Sequence, residues 1–425
     1  MSSWFERLSQ LWKAKDLRNS VLFILGMLVI FRFAAHIPIP GVNLENLRAF
    51  FSSNQILGLM NVFSGGTMEN FSIVALGVGP YITASIIFQL LGMIIPKLEE
   101  IMKDEGGRER INQYTRYLAI PLAALQSYSM IQLLRQSSRP IITDMSPMAL
   151  LTTILTMTAG TMFLMWIGEL ISEKKMGNGI SLMIFAGIIA GLPGVVQRAL
   201  FSLDAGEIFN LVLFAAIAVV TIIGVVVINE GQRNVPVSYA KRVRGMRMFG
   251  GVSTHLPIRV NVAGVIPIIF AISLILIPPM IAQFLVGAQT AFVANAAQFI
   301  IDVFRNQAFY GIFYFSLVVI FTYFYTAVIF HPDQVAENLQ KHGGFIPGIR
   351  PGRPTAEYLQ YTINRVIFAG AIFLGLIAIL PLLMQAFSGT ALVIGGTSLL
   401  IVVSVVIETV KQIESQLTMR EYDGF

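Results

Sequence analysis

The sequence predicts an all-α polytopic membrane protein whose ten spans divide into two halves of five. Three observations carry that expectation. Apolar residues make up 55% of the 425 residues and charged residues only 12%, against about 25% charged in an average soluble domain. So few charges cannot cover the outside of a core this large, and lipid is the natural solvent. Apolar stretches long enough to cross a bilayer, roughly 20 residues, recur ten times. A Gly-Val-x-Pro sequence opens the second of them at Gly77 and the seventh at Gly264.

The stretches cover residues 20–36, 70–92, 114–134, 148–170, 179–197, 207–229, 261–285, 308–330, 363–386 and 389–410. Each reads as a helix because lipid offers no partner to an open backbone. Ahead of span 1, "WFERLSQLWKAK" puts Trp4, Phe5, Leu8, Leu11 and Trp12 on one helical face. That is the pattern of a helix lying in the membrane interface, with a frayed terminus as the alternative. Glu6, Arg7, Lys13, Lys15, Asp16 and Arg18 do not fit a cleavable signal peptide. Before span 2, "QILGLMNVFSGGTMENFS" (55–72) is too apolar for an open loop and too short to span. It reads either as a half-helix folding back into the bundle or as an external interfacial helix; re-entrant backbone needs protein or a cavity to cover it.

Spans 2 and 7 are both the second span of their half. Five is an odd number, so the halves sit in the membrane with opposite topology. Broken helices at corresponding positions of inverted halves point to a substrate path. Glycine and proline are also common in membrane helices generally, which leaves chance as the other explanation.

Charge sets the orientation. With the N-terminus in the cytoplasm, all of the 29 basic residues except Arg32, Arg48, Arg135, Arg139, Arg198 and Arg305 fall on the cytoplasmic side. That bias puts both termini inside. It also accounts for the net charge of +6 without a nucleic-acid-binding domain. The chain has no cysteine, which excludes disulfides, thiol catalysis and cysteine-ligated metals.

Aliphatic stripes mark four spans. Ile82, Ile86 and Gln89 share one face of span 2. Span 5 gives Ile184 and Ile188, span 7 Ile266 and Ile269, and span 10 Ile401 and the valines up to Val406. β-Branched side chains have few rotamers, and a stiff, non-wetting collar of them blocks ions by dewetting. Stripes of this kind also face lipid or pack in ordinary membrane helices.

At these residues the chain resembles the bacterial SecY family, the channel subunit of the Sec translocon. The motifs are "HIPIPG", "GVGPYITASIIFQLL", "GNGISLMIFAGIIAGLP", "VPVSYAKR", "STHLPIRVN" and "GFIPGIRPGRPT", in that order over nearly the whole chain. The resemblance implies a clamshell of two inverted five-helix halves, residues 1–205 and 206–425, around an hourglass pore with a lateral gate. It implies a pore ring of Ile82, Ile86, Ile184, Ile188, Ile269 and Val406. It implies a plug at Gly58, Leu59, Met60, Asn61, Val62, Phe63, Ser64, Gly65 and Gly66. The gate lies between spans 2 and 3 on one flank and 7 and 8 on the other, with Gly79, Pro80, Gln89, Gly264 and Pro267 on its helices. Loosened backbone in such helices suits a hinge.

Two cytoplasmic loops are large. Residues 230–260 hold six Arg/Lys, and "NVPVSYAKRV" alternates like a strand; residues 331–362 begin as a short helix and end in "GGFIPGIRPGRPT". Prolines stiffen the backbone beside Arg350 and Arg353. Most of these charges serve topology alone. The resemblance singles out Arg242, Arg244, Arg350 and Arg353 as contacts for the SecA motor or the ribosome, whose RNA supplies phosphates. It further implies SecE and SecG as small membrane subunits, signal-sequence-bearing polypeptides as substrates, lipid as the neighbour of the gate, and the bacterial cytoplasmic (inner) membrane as the location.

Two other classes compete with a conducting channel. An ion-coupled secondary transporter places ionisable groups at mid-membrane, whereas Glu169, Glu230 and Glu408 fall toward span ends. An embedded enzyme needs a nucleophile with a base, or a metal cluster. The sequence has no HExxH, GxSxG or GxxxxGK[ST] motif. No catalytic residue, metal or cofactor is expected, and energy for transport comes from a partner or from the substrate itself.

Overall fold

The structure is a computed structural model of the chain. It describes residues 12–53, 61, 64, 66–104, 106–135, 140–142, 146–201, 208–239, 242–244, 247–249, 253–286, 290–388 and 396–423. The expected interfacial helix at the N-terminus lies almost wholly outside them.

Ten helices carry the ten apolar stretches. In the first half they are α1 (Lys15–Ala34), α3 (Gly79–Ile94), α5 (Gly107–Arg135), α6 (Pro147–Glu173) and α7 (Gly179–Phe201). In the second they are α8 (Ile208–Glu230), α9 (Ile266–Leu285), α11 (Gln307–Ile329), α13 (Arg353–Ser388) and α14 (Gly396–Asp423). Four shorter helices connect them: α2 (Leu44–Ser53), α4 (Pro96–Lys103), α10 (Ala291–Arg305) and α12 (Pro332–Lys341). The apolar part of the fold is helical throughout the described residues.

The spans are unequal. By length and apolar composition, α1, α5, α6, α11 and α13 suffice to cross a bilayer unaided. α3 does so only together with α4, which bends from it by 111°. Pro96 follows the break and forbids a continuous helix there.

Packing repeats between the halves. In the first, α3 packs on α5, α5 on α6, α6 on α7, and α1 on both α6 and α7. In the second, α9 packs on α11, α11 on α13, α13 on α14, and α8 on both α13 and α14. The same five pairings recur in the same order. The halves meet where α9 packs on α3 and α5, and where α14 packs on α7.

Two strand systems stand on the second half. β1 (Gln232–Tyr239) pairs antiparallel with β4 (Ser253–Arg259) and with β5 (Gly344–Phe345), while β2 (Arg242–Arg244) and β3 (Arg247–Phe249) form a hairpin. The strand expected at "NVPVSY" is β1, whose Val235 and Val237 turn inward. They pack with Ile258 and Ile346 on Leu359, Ile363 and Ile367 of α13. α13 starts ten residues before the apolar stretch because these strands bury its first turns. The two large loops therefore share one sheet.

Candidate functional site

The two Gly-Val-x-Pro sequences fold alike. Gly77 has φ +60° and Gly264 φ +64°, the left-handed region that glycine enters without steric cost. Val78 follows at φ −92°, ψ 4°, and Val265 at φ −90°, ψ −14°. Each helix then starts at the residue before the proline, so Pro80 and Pro267 sit in the first turn, where a missing N–H costs nothing. The motif is thus a helix-starting turn. It stands at the mouth of each helix, where the sequence puts the break. Within α9, Pro278 and Pro279 each leave a backbone carbonyl without its helical donor.

The first turn is pinned to the segment expected as the plug. A Cβ on Gly77 would stand 2.9 Å from Ser64 Cα. Thr67, fully buried, donates from Oγ1 to the Ser64 carbonyl at 2.9 Å, with the Ala75 carbonyl at 3.2 Å. Ser64 Oγ donates to the Asn61 carbonyl at 2.9 Å, and Asn61 Oδ1 accepts from the Glu69 N–H at 3.0 Å. Gly66, at φ +77°, donates its N–H to the same Asn61 carbonyl at 2.7 Å. Of the expected plug, Asn61, Ser64 and Gly66 are therefore knotted to the turn that starts α3. Gly58, Leu59, Met60, Val62, Phe63 and Gly65 lie outside the described residues. Gly160 of α6 gives this turn room, since a Cβ there would meet the Ile73 carbonyl oxygen.

Thr67→Val should leave two carbonyls of this knot without their donor, at a cost of about 1–3 kcal/mol. Single-channel recording should show more frequent brief openings than wild type. Unchanged opening frequency would mean that the knot does not hold the plug.

The aliphatic positions converge. Ile82, Ile86, Ile184, Ile188 and Ile269 are each 8% exposed or less and belong to one buried cluster. Span 10 contributes Ile401 and Val405, at 0% and 3% exposure. Val406 does not join them; it is 43% exposed. The register of span 10 is corrected accordingly: Val406 points off the cluster face, and the isoleucine a turn and a half earlier takes its place. A run of branched residues along α14 gave the sequence no way to choose among them.

Along the seam expected to be the gate, α9 rests on α3 and α5. Each flank is fastened internally by aromatic rings. Phe270 of α9 meets Phe321 and Tyr325 of α11 edge-on, both at 5.9 Å, and Phe88 of α3 stacks with Tyr114 of α5 at 6.1 Å. Toward the seam, α3 brings Ile82 and Ile86, and α9 brings Ile268, Ile269, Ile272 and Ile275. Gln89 donates to Ser85 Oγ at 3.2 Å while its Oε1 stays buried without a partner. A Cβ on Gly79 or Gly264 would meet nothing within 4 Å, so neither glycine is there for a close approach; at 264 the positive φ is the reason.

The second turn has its own anchor, unforeseen in the sequence. Buried Asn261 donates from Nδ2 to the Gly264 carbonyl at 3.1 Å and to Asn229 Oδ1 at 2.7 Å. Asn229 in turn donates to Ser404 Oγ of α14 at 2.7 Å. Lone asparagines next to spans carry no pattern that a sequence alone would flag. Of the span-end carboxylates, Glu169 pairs with Arg116 at 2.8 Å and Glu230 with Lys411 at 2.7 Å.

On the loop body, Arg350 is exposed between two left-handed glycines, Gly348 at φ +84° and Gly352 at φ +95°. Its carbonyl accepts from Thr355 Oγ1 at 2.9 Å, which fixes the loop while the guanidinium stays outside. Arg353 sits in the first turn of α13 and pairs with Glu357 at 3.1 Å, one helical turn on. Arg242 and Arg244 lie on β2, in the hairpin beside the sheet.

A family model for SecY matches residues 72–410. A protein translocase subunit SecY of Mycobacterium tuberculosis is 47% identical, over 96% of this chain and 97% of its own length. One of Streptomyces coelicolor is 43% identical over 97% and 98%. Among solved structures, one described as a protein conducting channel aligns with TM-score 0.62 at 17% identity, over 92% of this chain and 91% of that one. A SecY structure concerned with a plug domain that stabilises the closed channel aligns with TM-score 0.62 at 18% identity, over the same shares. Sec61 in a canine ribosome-channel complex aligns with TM-score 0.58 at 17% identity, again over 92% and 91%.

Proposed function

The chain belongs to the SecY family and is a channel for protein translocation with a plug, and we propose that the clustered isoleucines are its seal. The burial of Ile82, Ile86, Ile184, Ile188, Ile269 and Ile401 within the main hydrophobic cluster supports that reading. A translocating chain varies in sequence, so specific polar sites in the pore would retain it. A weakly interacting aliphatic collar closes around many side chains and dewets when empty. Apolar segments leave through the α3–α9 seam because they prefer lipid, and polar segments continue across. The repeated helix pairings support a division into two halves, residues 1–205 and 206–425. The transporter reading is not favoured.

The energy source and partners extend the proposal. With no phosphate-binding loop in the sequence, the channel takes its energy from a motor such as SecA or from a ribosome, docked on the loop body around Arg350 and on the β2–β3 hairpin. SecE and SecG complete the assembly. The charge bias supports a bacterial inner membrane with both termini in the cytoplasm. Planar-bilayer conductance tests the seal. Gly at Ile86 together with Ile188 or Ile401 should raise the resting ion conductance, and Val406→Gly should not. A leak from position 406 alone, or none from any pair of isoleucines, would reverse the assignment.

A further inference from the structure

α10 has a face that the channel does not use. Its fifteen residues divide around the helix axis into three sectors, at about 100° per residue. Ala297 and Phe304 face inward, at 2% and 8% exposure. Asn295, Gln298, Asp302 and Arg305 form a polar arc on one side, with Gln298 Nε2 donating to Asp302 Oδ1 at 3.1 Å. The other side is the stripe Phe292, Ala296, Phe299, spaced i, i+4, i+7, with Phe292 81% and Phe299 69% exposed.

A helix with one polar arc and two apolar ones fits a position where protein, water and lipid all meet. The stripe continues a surface that already faces lipid. Past α10, α11 presents Phe309, Ile312 and Ile320 outward, the last two at 69% and 60% exposure. The helix is also held firmly. Phe304 meets Phe309 at 5.5 Å and Phe313 at 5.8 Å, both edge-on, and α10 packs against the gate helix α9 as well as α11. Two large rings left in water on so well-fixed a helix would expose apolar area for nothing, whereas a lipid interface accepts them.

We infer that α10 lies in the membrane interface with Phe292 and Phe299 inserted among the lipids of the non-cytoplasmic leaflet. It thereby anchors the outer end of the α9–α11 flank to that leaflet. The assignment of leaflet rests on the orientation proposed above.

The chain has no cysteine, so single cysteines can be labelled cleanly. Phe292→Cys, Phe299→Cys, Asn295→Cys and Gln298→Cys would each carry a bimane label in the full chain, reconstituted in phosphatidylethanolamine–phosphatidylglycerol vesicles. Nitroxide-labelled lipid should quench positions 292 and 299 several-fold more than aqueous iodide does, with the reverse at 295 and 298. Iodide quenching at 292 and 299 equal to that at 295 would overturn the inference, because the stripe would then lie in water. Protection of both from either quencher would also overturn it, because a protein would then cover the stripe. A membrane-impermeant maleimide on Asn295→Cys reports the leaflet separately. Reaction from the cytoplasmic side, with lipid quenching intact, would refute the orientation and leave the interfacial helix standing.

Discussion

A disulfide across α3 and α9 should stop export of a secretory precursor, and reduction should restore it. The two helices touch along a buried aliphatic seam, so pairs with Cα atoms about 4.4–6.8 Å apart, as a disulfide requires, can be chosen there. No native thiol competes. The expected loss is the whole of the activity, because a substrate cannot pass a seam that is covalently shut. The aromatic contacts within each flank define the control. A disulfide between α9 and α11, already joined through Phe270, Phe321 and Tyr325, should leave export near wild type. Full export with the α3–α9 crosslink formed would mean that the channel opens elsewhere.

Arg350→Glu should abolish productive engagement of the cytoplasmic partner while the channel still inserts and holds its seal. The side chain is exposed on a loop whose backbone is already fixed by two left-handed glycines and the Thr355 hydroxyl, so charge reversal does not disturb the fold. Losing a charge-assisted hydrogen bond at an interface costs about 1.5–3 kcal/mol, roughly tenfold to a hundredfold in affinity. Arg350→Lys keeps the charge and loses the planar fork, so it should fall between wild type and Glu. Arg353→Glu should do less, because Arg353 is already occupied with Glu357. Motor-driven translocation into proteoliposomes, at equal amounts of inserted protein, checks all three. Wild-type rates for Arg350→Glu would make the residue an ordinary solvated charge.

The membrane class and the spans were legible because burial in lipid writes itself as long apolar runs. The isoleucines at 82, 86, 184, 188 and 269 were legible because helical spacing aligns them, and the structure gathers those five. Val406 was misplaced for the converse reason: a stretch where every residue is branched and apolar carries no phase. The knot at Thr67 and the anchor at Asn261 were invisible: the local bonds from Thr67 to Ser64 and from Asn261 to Gly264 leave no period in the sequence, and the link from Asn261 through Asn229 to Ser404 forms only on folding. β5 was equally hidden. Two residues, Gly344 and Phe345, carry no period of their own and become a strand by pairing with Ser238 and Tyr239.

The paired helix-starting turns dictate how the seam can part. Five crossings separate α3 from α9, so their pinned N-terminal ends stand at opposite surfaces of the bilayer. At each surface one helix begins at a hydrogen-bonded turn while the other runs on into a connecting helix, α4 after α3 and α10 after α9. Under the proposed orientation, a push at the cytoplasmic surface meets the start of α9 beside the α3–α4 bend, and a push from the far surface meets the start of α3 beside α10. The slit therefore has two unlike mouths, and a segment passing between the helices meets a different one according to the side from which it arrives.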